Sequence, residues 1–251
     1  MEQNIFNPFS LSEKKILVTG ASSGIGRAIA IACANIGACV YITARNEVAL
    51  NNTISLMYKK KGIAISADLT KQDDINRLVD ILPQLDGVVH CAGVGSRVPC
   101  KNIEAKDIAH IFKPNTEAPI LLQAALLTHK KINKSASIVF IASYAANAPS
   151  IGNAVYSASK GAILAYAKCL AMELAPRLIR VNSICPAMVW TDLILQDGLT
   201  KEELKEIQLK YPLKRYGTPE DVAYLAIYLL SDAASWMTGS DIDITGGTKE
   251  L

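Results

Sequence analysis

The sequence predicts a doubly wound α/β fold built on a parallel sheet, and three observations carry that expectation. Short apolar stretches rich in β-branched residues alternate with helix-period stretches along the whole chain. A glycine-rich run closes the first apolar stretch and opens the first helical one. No linker, repeat or low-complexity tract divides the 251 residues, so a single domain spanning 1–251 is the economical reading.

The expected strands cover residues 15–19, 39–44, 63–67, 87–90, 137–142, 181–185 and 241–245. They read as continuous apolar runs, as strands buried on both faces do. Helices are expected at 26–36 (stopping at Gly37), 47–60, 72–82, 105–131, 154–174, 201–210 and 219–230. The 154–174 segment is the strongest, with Ile163, Leu164, Ala167, Leu170 and Leu174 on one stripe. Residues 1–12 form an N-terminal extension. Helices between parallel strands imply right-handed crossovers.

Composition excludes several classes. Half the residues are hydrophobic and 20% charged, which argues against disorder. A formal charge of +3 without a Lys/Arg block argues against a nucleic-acid partner. No apolar run is long enough to span a bilayer, and residues 1–15 lack the order of a signal peptide. The six cysteines (33, 39, 91, 100, 169 and 185) form no C-x-x-C pair, so a reducing cytoplasm is expected and no metal site. His90, His110 and His129 are scattered, and His90 is expected to pack or bond within its strand.

The chemistry begins after the first strand, at Gly20-Ala21-Ser22-Ser23-Gly24-Ile25-Gly26. Glycines permit a tight turn and let backbone amides approach a pyrophosphate, and the following helix start adds N–H groups and partial positive charge. A dinucleotide is therefore expected. An NAD site places a carboxylate at the end of the second strand. Here that strand ends in Ala44-Arg45-Asn46. Arg45 suits a 2′-phosphate, so NADP(H) is favoured over NAD(H); the other reading of Arg45 is a solvated helix-start residue. Tyr156 and Lys160 stand four apart and share a helix face. A lysine ammonium favours the phenolate of a tyrosine that otherwise titrates near 10. Tyr156 is then a proton shuttle for a carbonyl–alcohol pair, Lys160 also holds the nicotinamide ribose, and Ser143 orients the substrate oxygen.

The G-x-x-x-G-x-G spacing, Ser143 and the Tyr156–Lys160 pair together resemble the short-chain dehydrogenase/reductase family over about residues 12–248. The resemblance implies a Rossmann-type fold and a hydride-transferring enzyme. It implies that Asp68, with Leu69, binds the adenine amino group; on the residues alone, Asp68 serves equally to cap the next helix. It makes Asn115 a fourth site member that disrupts its long helix and offers its backbone carbonyl to a water. Pro114 and Pro119 would keep that kink open by removing N–H donors, or simply mark a break between two helices. It places Cys91, Ala92 and Gly93 beside the dinucleotide, with Cys91 where relatives carry Asn. It also places Pro186, Val189 and Thr191 there, with Ala187 where relatives carry Gly. A homotetramer is implied too.

Residues 188–217 are expected to be a lid whose Trp190, Leu193, Ile194, Leu199 and Tyr211 shape an apolar cleft. The stretch from Pro212 to Ala223, with Thr238-Gly239, resembles the 3-oxoacyl-acyl-carrier-protein reductase branch. A 3-oxoacyl thioester is therefore one expected substrate, and Lys130, Lys131 and Arg177 would form a docking patch for an acidic carrier, unless they are ordinary solvated charges. Sugar, polyol and steroid alcohols remain alternatives, and a non-catalytic dinucleotide sensor is a third reading.

Overall fold

The computed structural model describes residues 7–58, 62–197 and 200–248. Seven strands form one parallel sheet: β1 Lys15–Thr19, β2 Cys39–Ala44, β3 Gly62–Ser66, β4 Leu85–His90, β5 Ile132–Ile141, β6 Arg180–Pro186 and β7 Asp241–Ile244. Their spatial order is β3-β2-β1-β4-β5-β6-β7. The helices are α1 Gly24–Asn35, α2 Glu47–Ser55, α3 Gln72–Ile81, α4 Ala105–Phe112, α5 Ala118–Thr128, α6 Ala154–Leu174, α7 Lys201–Gln208 and α8 Pro219–Leu230.

The period-2 alternation of a strand sends neighbouring residues to opposite faces. Ile16 and Val18 of β1 join Val139 and Ile141 of β5 under α1 and α8, whereas Leu17, Ile138 and Phe140 face α3, α5 and α6. The two cores account for the uninterrupted apolar runs in the sequence. Each fully buried aliphatic side chain stabilises by roughly 1.5–3 kcal/mol. Exposed ion pairs such as Lys106–Glu104 contribute about 0–1 kcal/mol each, so the cores, not the surface charges, hold the sheet.

Several boundaries differ from the sequence expectation. Helix α2 ends at Ser55, and residues 59–61 lie outside the described residues. The long helical region is α4 and α5 joined by a π-helical turn at Lys113–Glu117, in which the Ala118 N–H donates to the Lys113 carbonyl. Pro114 and Pro119 cannot donate, so the wider ring carries the helix through rather than breaking it. The extension is anchored at two points: Leu11 is fully buried, and the Ala233 N–H donates to the Pro8 carbonyl at 3.0 Å. No helix is long and apolar enough to cross a membrane among the described residues.

His90 ends β4 in the core. Its ring stacks on Phe140 at 4.6 Å, and Nε2 lies 3.0 Å from Gln123 Oε1. Burial pushes its pKa down from 6.5 to about 4. Below pH 6.5 the unfolded chain takes up a proton that the fold refuses, so stability falls as pH drops from 6.5 towards 4. The loss expected over that window is about 3 kcal/mol. Urea unfolding of the wild type and His90→Leu across it checks this: the variant's stability should be flatter by that amount.

Candidate active site

The chain runs outward through β1, β2 and β3, then returns to place β4 on the other side of β1. The loops leaving β1 and β4 therefore part at the carboxyl end of the sheet, where such folds open a crevice. A cavity of about 720 Å³ lies there. Every expected site residue lines it except Asn115, which lies directly behind.

The β1 end fixes the crevice floor. Thr19, 1% exposed, accepts bonds on Oγ1 from the Cys91 and Ala92 N–H groups, both at 3.0 Å. This supplies the support that a thiol at position 91 does not. The bonds draw the two loops so close that a Cβ on Gly20 would lie 2.8 Å from Ala92 Cα. A Cβ on Gly26 would lie 2.4 Å from the Gly20 carbonyl oxygen, so the first turn of α1 is pressed onto the loop. Ser23 is the N-cap but accepts no side-chain bond, and the first turn carries no acid. The amide groups and positive end of α1 are thus left for an anion in the cavity. Arg27 braces the loop from behind, donating to the Ser22 carbonyl and to Thr53 Oγ1, while Thr53 Oγ1 donates to the Ala21 carbonyl at 2.9 Å.

At the β2 end Arg45 is exposed and lines the cavity. The Ser66 hydroxyl holds its carbonyl at 3.1 Å, and Asn46 caps α2 by accepting from the Ala49 N–H at 3.0 Å. Asp68 corrects one expectation. Its Oδ1 accepts from the Thr70 hydroxyl at 2.7 Å and the Thr70 N–H at 3.1 Å, whereas the N-cap of α3 is Lys71. Asp68 therefore shapes its own loop and does not cap the helix. The bond from the Thr70 side chain holds its carboxyl below the usual range, with Lys71 and Arg45 adding attraction.

The third group sits where α6 passes β5. Ser143 follows β5, is 8% exposed, and accepts from the Ala145 N–H at 3.2 Å. An accepted bond leaves its hydroxyl proton to donate. Lys160 is buried; Nζ donates to the Ile141 carbonyl at 2.9 Å and lies 5.8 Å from the centre of the Tyr156 ring. Burial lowers its pKa to about 8. The Cys91 thiol, pushed up to about 12 by burial, stays neutral nearby.

Asn115 sits in the π-turn, and its side chain does the visible work. Oδ1 accepts from the Val94 N–H at 2.8 Å, and Nδ2 donates to the Val94 carbonyl at 2.9 Å and to Ser159 Oγ at 3.2 Å. Ser159 Oγ in turn donates to the Tyr156 carbonyl at 2.7 Å. The amide thus fastens the β4 loop to the first turn of α6. A Cβ on Gly93 would press on Asn115 Oδ1 at 3.0 Å and Lys160 Nζ at 3.5 Å.

Other expectations are corrected. Trp190 and Tyr211 do not face the cavity; they pack with Tyr216 and Leu204 in a small core of the 188–217 segment, and Trp190 Nε1 donates to Gln208 Oε1 at 3.1 Å. Leu193 and Ile194 do line the cavity, and Leu199 lies outside the described residues. Ala187 keeps a negative φ and donates to the Ile244 carbonyl at 3.1 Å, so no glycine is required there. The Thr191 side chain stands over Gly24. Lys131 and Arg177, expected with Lys130 to form a basic patch, lie away from the cavity. They donate to the Leu82 and Ile132 carbonyls at the amino end of the sheet, opposite the cavity.

The family model described as enoyl-(acyl carrier protein) reductase matches residues 20–249. An L-xylulose reductase of Caenorhabditis elegans is 35% identical over 247 residues, 95% of this chain and 97% of the relative. A structure from Beutenbergia cavernae, assigned as an NAD(P)-dependent gluconate 5-dehydrogenase and holding NADP at low occupancy, superposes with a TM-score of 0.86 at 31% identity, covering 96% of this chain and 98% of that one. The 3-ketoacyl-(acyl-carrier-protein) reductase of Brucella melitensis in complex with NADH gives 0.86 at 29% identity, covering 95% and 99%.

Thr19→Val keeps the shape of the side chain and removes the acceptor. Two N–H groups then lose their partner, and a stability loss of about 1–3 kcal/mol is expected. Thermal and chemical unfolding check it; unchanged stability would show that the two bonds contribute nothing.

Proposed function

The chain belongs to the short-chain dehydrogenase/reductase family, and on that premise we propose that it reduces a carbonyl to an alcohol with NADPH as the hydride source and Tyr156 as the proton donor. The observation that carries this reading is the convergence of the glycine cradle, Arg45 and the Ser143–Tyr156–Lys160 group on one cavity. The cradle fits a dinucleotide: the approaches at Gly20 and Gly26 leave no room for a Cβ, and the amino end of α1 is open. Arg45 favours NADPH. NAD(H) stays as the second reading, because the Brucella relative holds NADH.

The amides of Ser23 to Gly26 would hold the pyrophosphate, and the guanidinium of Arg45 would pair with the 2′-phosphate. Asp68 and Leu69 would line the adenine end, and Cys91 to Gly93, Pro186, Val189 and Thr191 would enclose the rest. When bound, the nicotinamide supplies the hydride to the carbonyl carbon. Ser143 donates a hydrogen bond from its hydroxyl to the carbonyl oxygen, keeps its proton, and fixes the position of that oxygen. Tyr156 delivers a proton to the same oxygen as it gains charge. The Lys160 ammonium lowers the cost of the resulting phenolate, and Asn115 acts through position, holding the β4 loop against the turn that carries Tyr156.

A 3-oxoacyl thioester and a sugar or polyol carbonyl remain the two substrate readings. The first draws on the Brucella relative and the family model, the second on the L-xylulose reductase. A non-catalytic sensor is disfavoured by the intact proton-transfer group. The homotetramer is part of the proposal, supported by exposed apolar side chains such as Leu121 on α5 and Met172 on α6. A cytoplasmic setting is supported by six cysteines that are all free thiols.

Three outcomes are expected. NADPH oxidation, followed in parallel with an acetoacetyl thioester and a ketopentose, should fall at least about a hundredfold in Tyr156→Phe; equal turnover by the variant would remove Tyr156 from the reaction. Arg45→Ala should lower the NADPH-to-NADH ratio of kcat/KM by roughly tenfold or more, the weight of a charge-assisted bond. Lys160 carries its proton below about 8, so the reduction rate should decline as pH rises through that value; a flat profile from pH 7 to 9.5 would contradict it.

A further inference from the structure

Met188, Val189 and Thr191, in the loop that leaves β6, line the cavity. The sheet order puts this loop on the Ser143 side of the crevice, across from Arg45 and Asp68. Gly217 grips its backbone from outside. The Gly217 N–H donates to the Met188 carbonyl at 3.0 Å, and the Trp190 N–H donates to the Gly217 carbonyl at 2.9 Å. A Cβ on Gly217 would lie 3.3 Å from Val189 Cγ2, so the two segments are in close contact. The two polar groups of Gly217 belong to different peptide planes, Tyr216–Gly217 and Gly217–Thr218. In a trans peptide the carbonyl and the N–H point in opposite directions, so holding one aims the other. Arg215 Nη1 donates to the Tyr216 carbonyl at 3.0 Å, which aims the Gly217 N–H. The Thr218 N–H donates to Asp221 Oδ2 at 2.7 Å, which aims the Gly217 carbonyl. Arg215 and Asp221 are themselves joined by two bonds, Nη1 to Oδ2 at 2.6 Å and Nη2 to Oδ1 at 3.0 Å. Each peptide that grips the loop is therefore fixed on its far side by one member of a bidentate ion pair.

We infer that the Arg215–Asp221 pair positions the nicotinamide half of the dinucleotide: through Gly217 it sets the wall of Met188 to Thr191 against which that half is seated. The inference rests on the reading of the cavity as an NADPH site. Neither member of the pair lines the cavity, so both are positioning residues that act through backbone and touch no ligand. A half-exposed ion pair of this kind adds little to stability. What the arrangement uses is direction. A planar guanidinium holds a carboxylate and a carbonyl at once along fixed lines, and a lysine ammonium in its place keeps the charge without the fork.

Binding decides the matter without turnover. NADPH and 2′-phospho-ADP-ribose, which is the same molecule without the nicotinamide, are titrated calorimetrically into the wild type, Arg215→Ala and Arg215→Lys. Arg215→Ala should weaken NADPH roughly fivefold or more, the weight of one hydrogen bond. Arg215→Lys should fall between Arg215→Ala and the wild type. The fragment should bind all three proteins alike, which also shows that the variants are folded. NADPH affinity unchanged in Arg215→Ala overturns the inference. So does an equal loss for both ligands, which would make the pair a brace of the whole fold. If Arg215→Ala does not fold, Arg215→Lys decides by the same comparison. Failure of the underlying reading shows separately, as a wild type that binds neither ligand.

Discussion

The close approach of the loops that leave β1 and β4 is the constraint on which the rest of the site depends. Two bonds to the Thr19 hydroxyl fix it. Their consequence is steric: Gly20 faces Ala92, and Gly26 faces Gly20, at distances that exclude a side chain. The glycines are therefore required by packing as well as by a ligand. The same approach sets the height of the β4 loop, which Asn115 then ties to α6. One hydroxyl at a strand end thus aligns the glycine loop with the helix that carries Tyr156.

The electrostatics of the site follow from burial. Lys160 lies in the interior beside a carbonyl oxygen and neutral thiols. Burial costs the cation free energy, which its lowered pKa records. Its ammonium is held by a dipole rather than by a fixed carboxylate, so its field stays available to a phenolate forming on Tyr156. A local cost of this kind at a chemical site is the usual exception to otherwise consistent packing.

Much of this was legible in the sequence because it lies in periodicity and spacing. The seven strands, the strand–loop–helix cradle and the four-residue gap from Tyr156 to Lys160 are all local patterns. What escaped is long-range. Thr19 reads as a strand end until its partners, more than seventy residues away, are placed beside it. Arg27 and Thr53 brace the loop through a helix-to-helix contact that no motif announces, although Arg27 directly follows the last glycine. Trp190 and Tyr211 looked like cleft residues because apolar side chains in an expected lid suggest a ligand; the 188–217 segment instead has a small core of its own. The charge of Lys131 and Arg177 is visible in sequence, whereas the end of the sheet on which it falls is not.

The central claim is that the cradle and the Tyr156–Lys160 pair serve one dinucleotide. A crystal structure of the chain with NADPH tests it most directly. The account predicts the pyrophosphate on the Ser23–Gly26 amides, the 2′-phosphate on Arg45, and the nicotinamide ring beside Tyr156. A dinucleotide seated elsewhere, or one whose nicotinamide lies away from Tyr156, would contradict it.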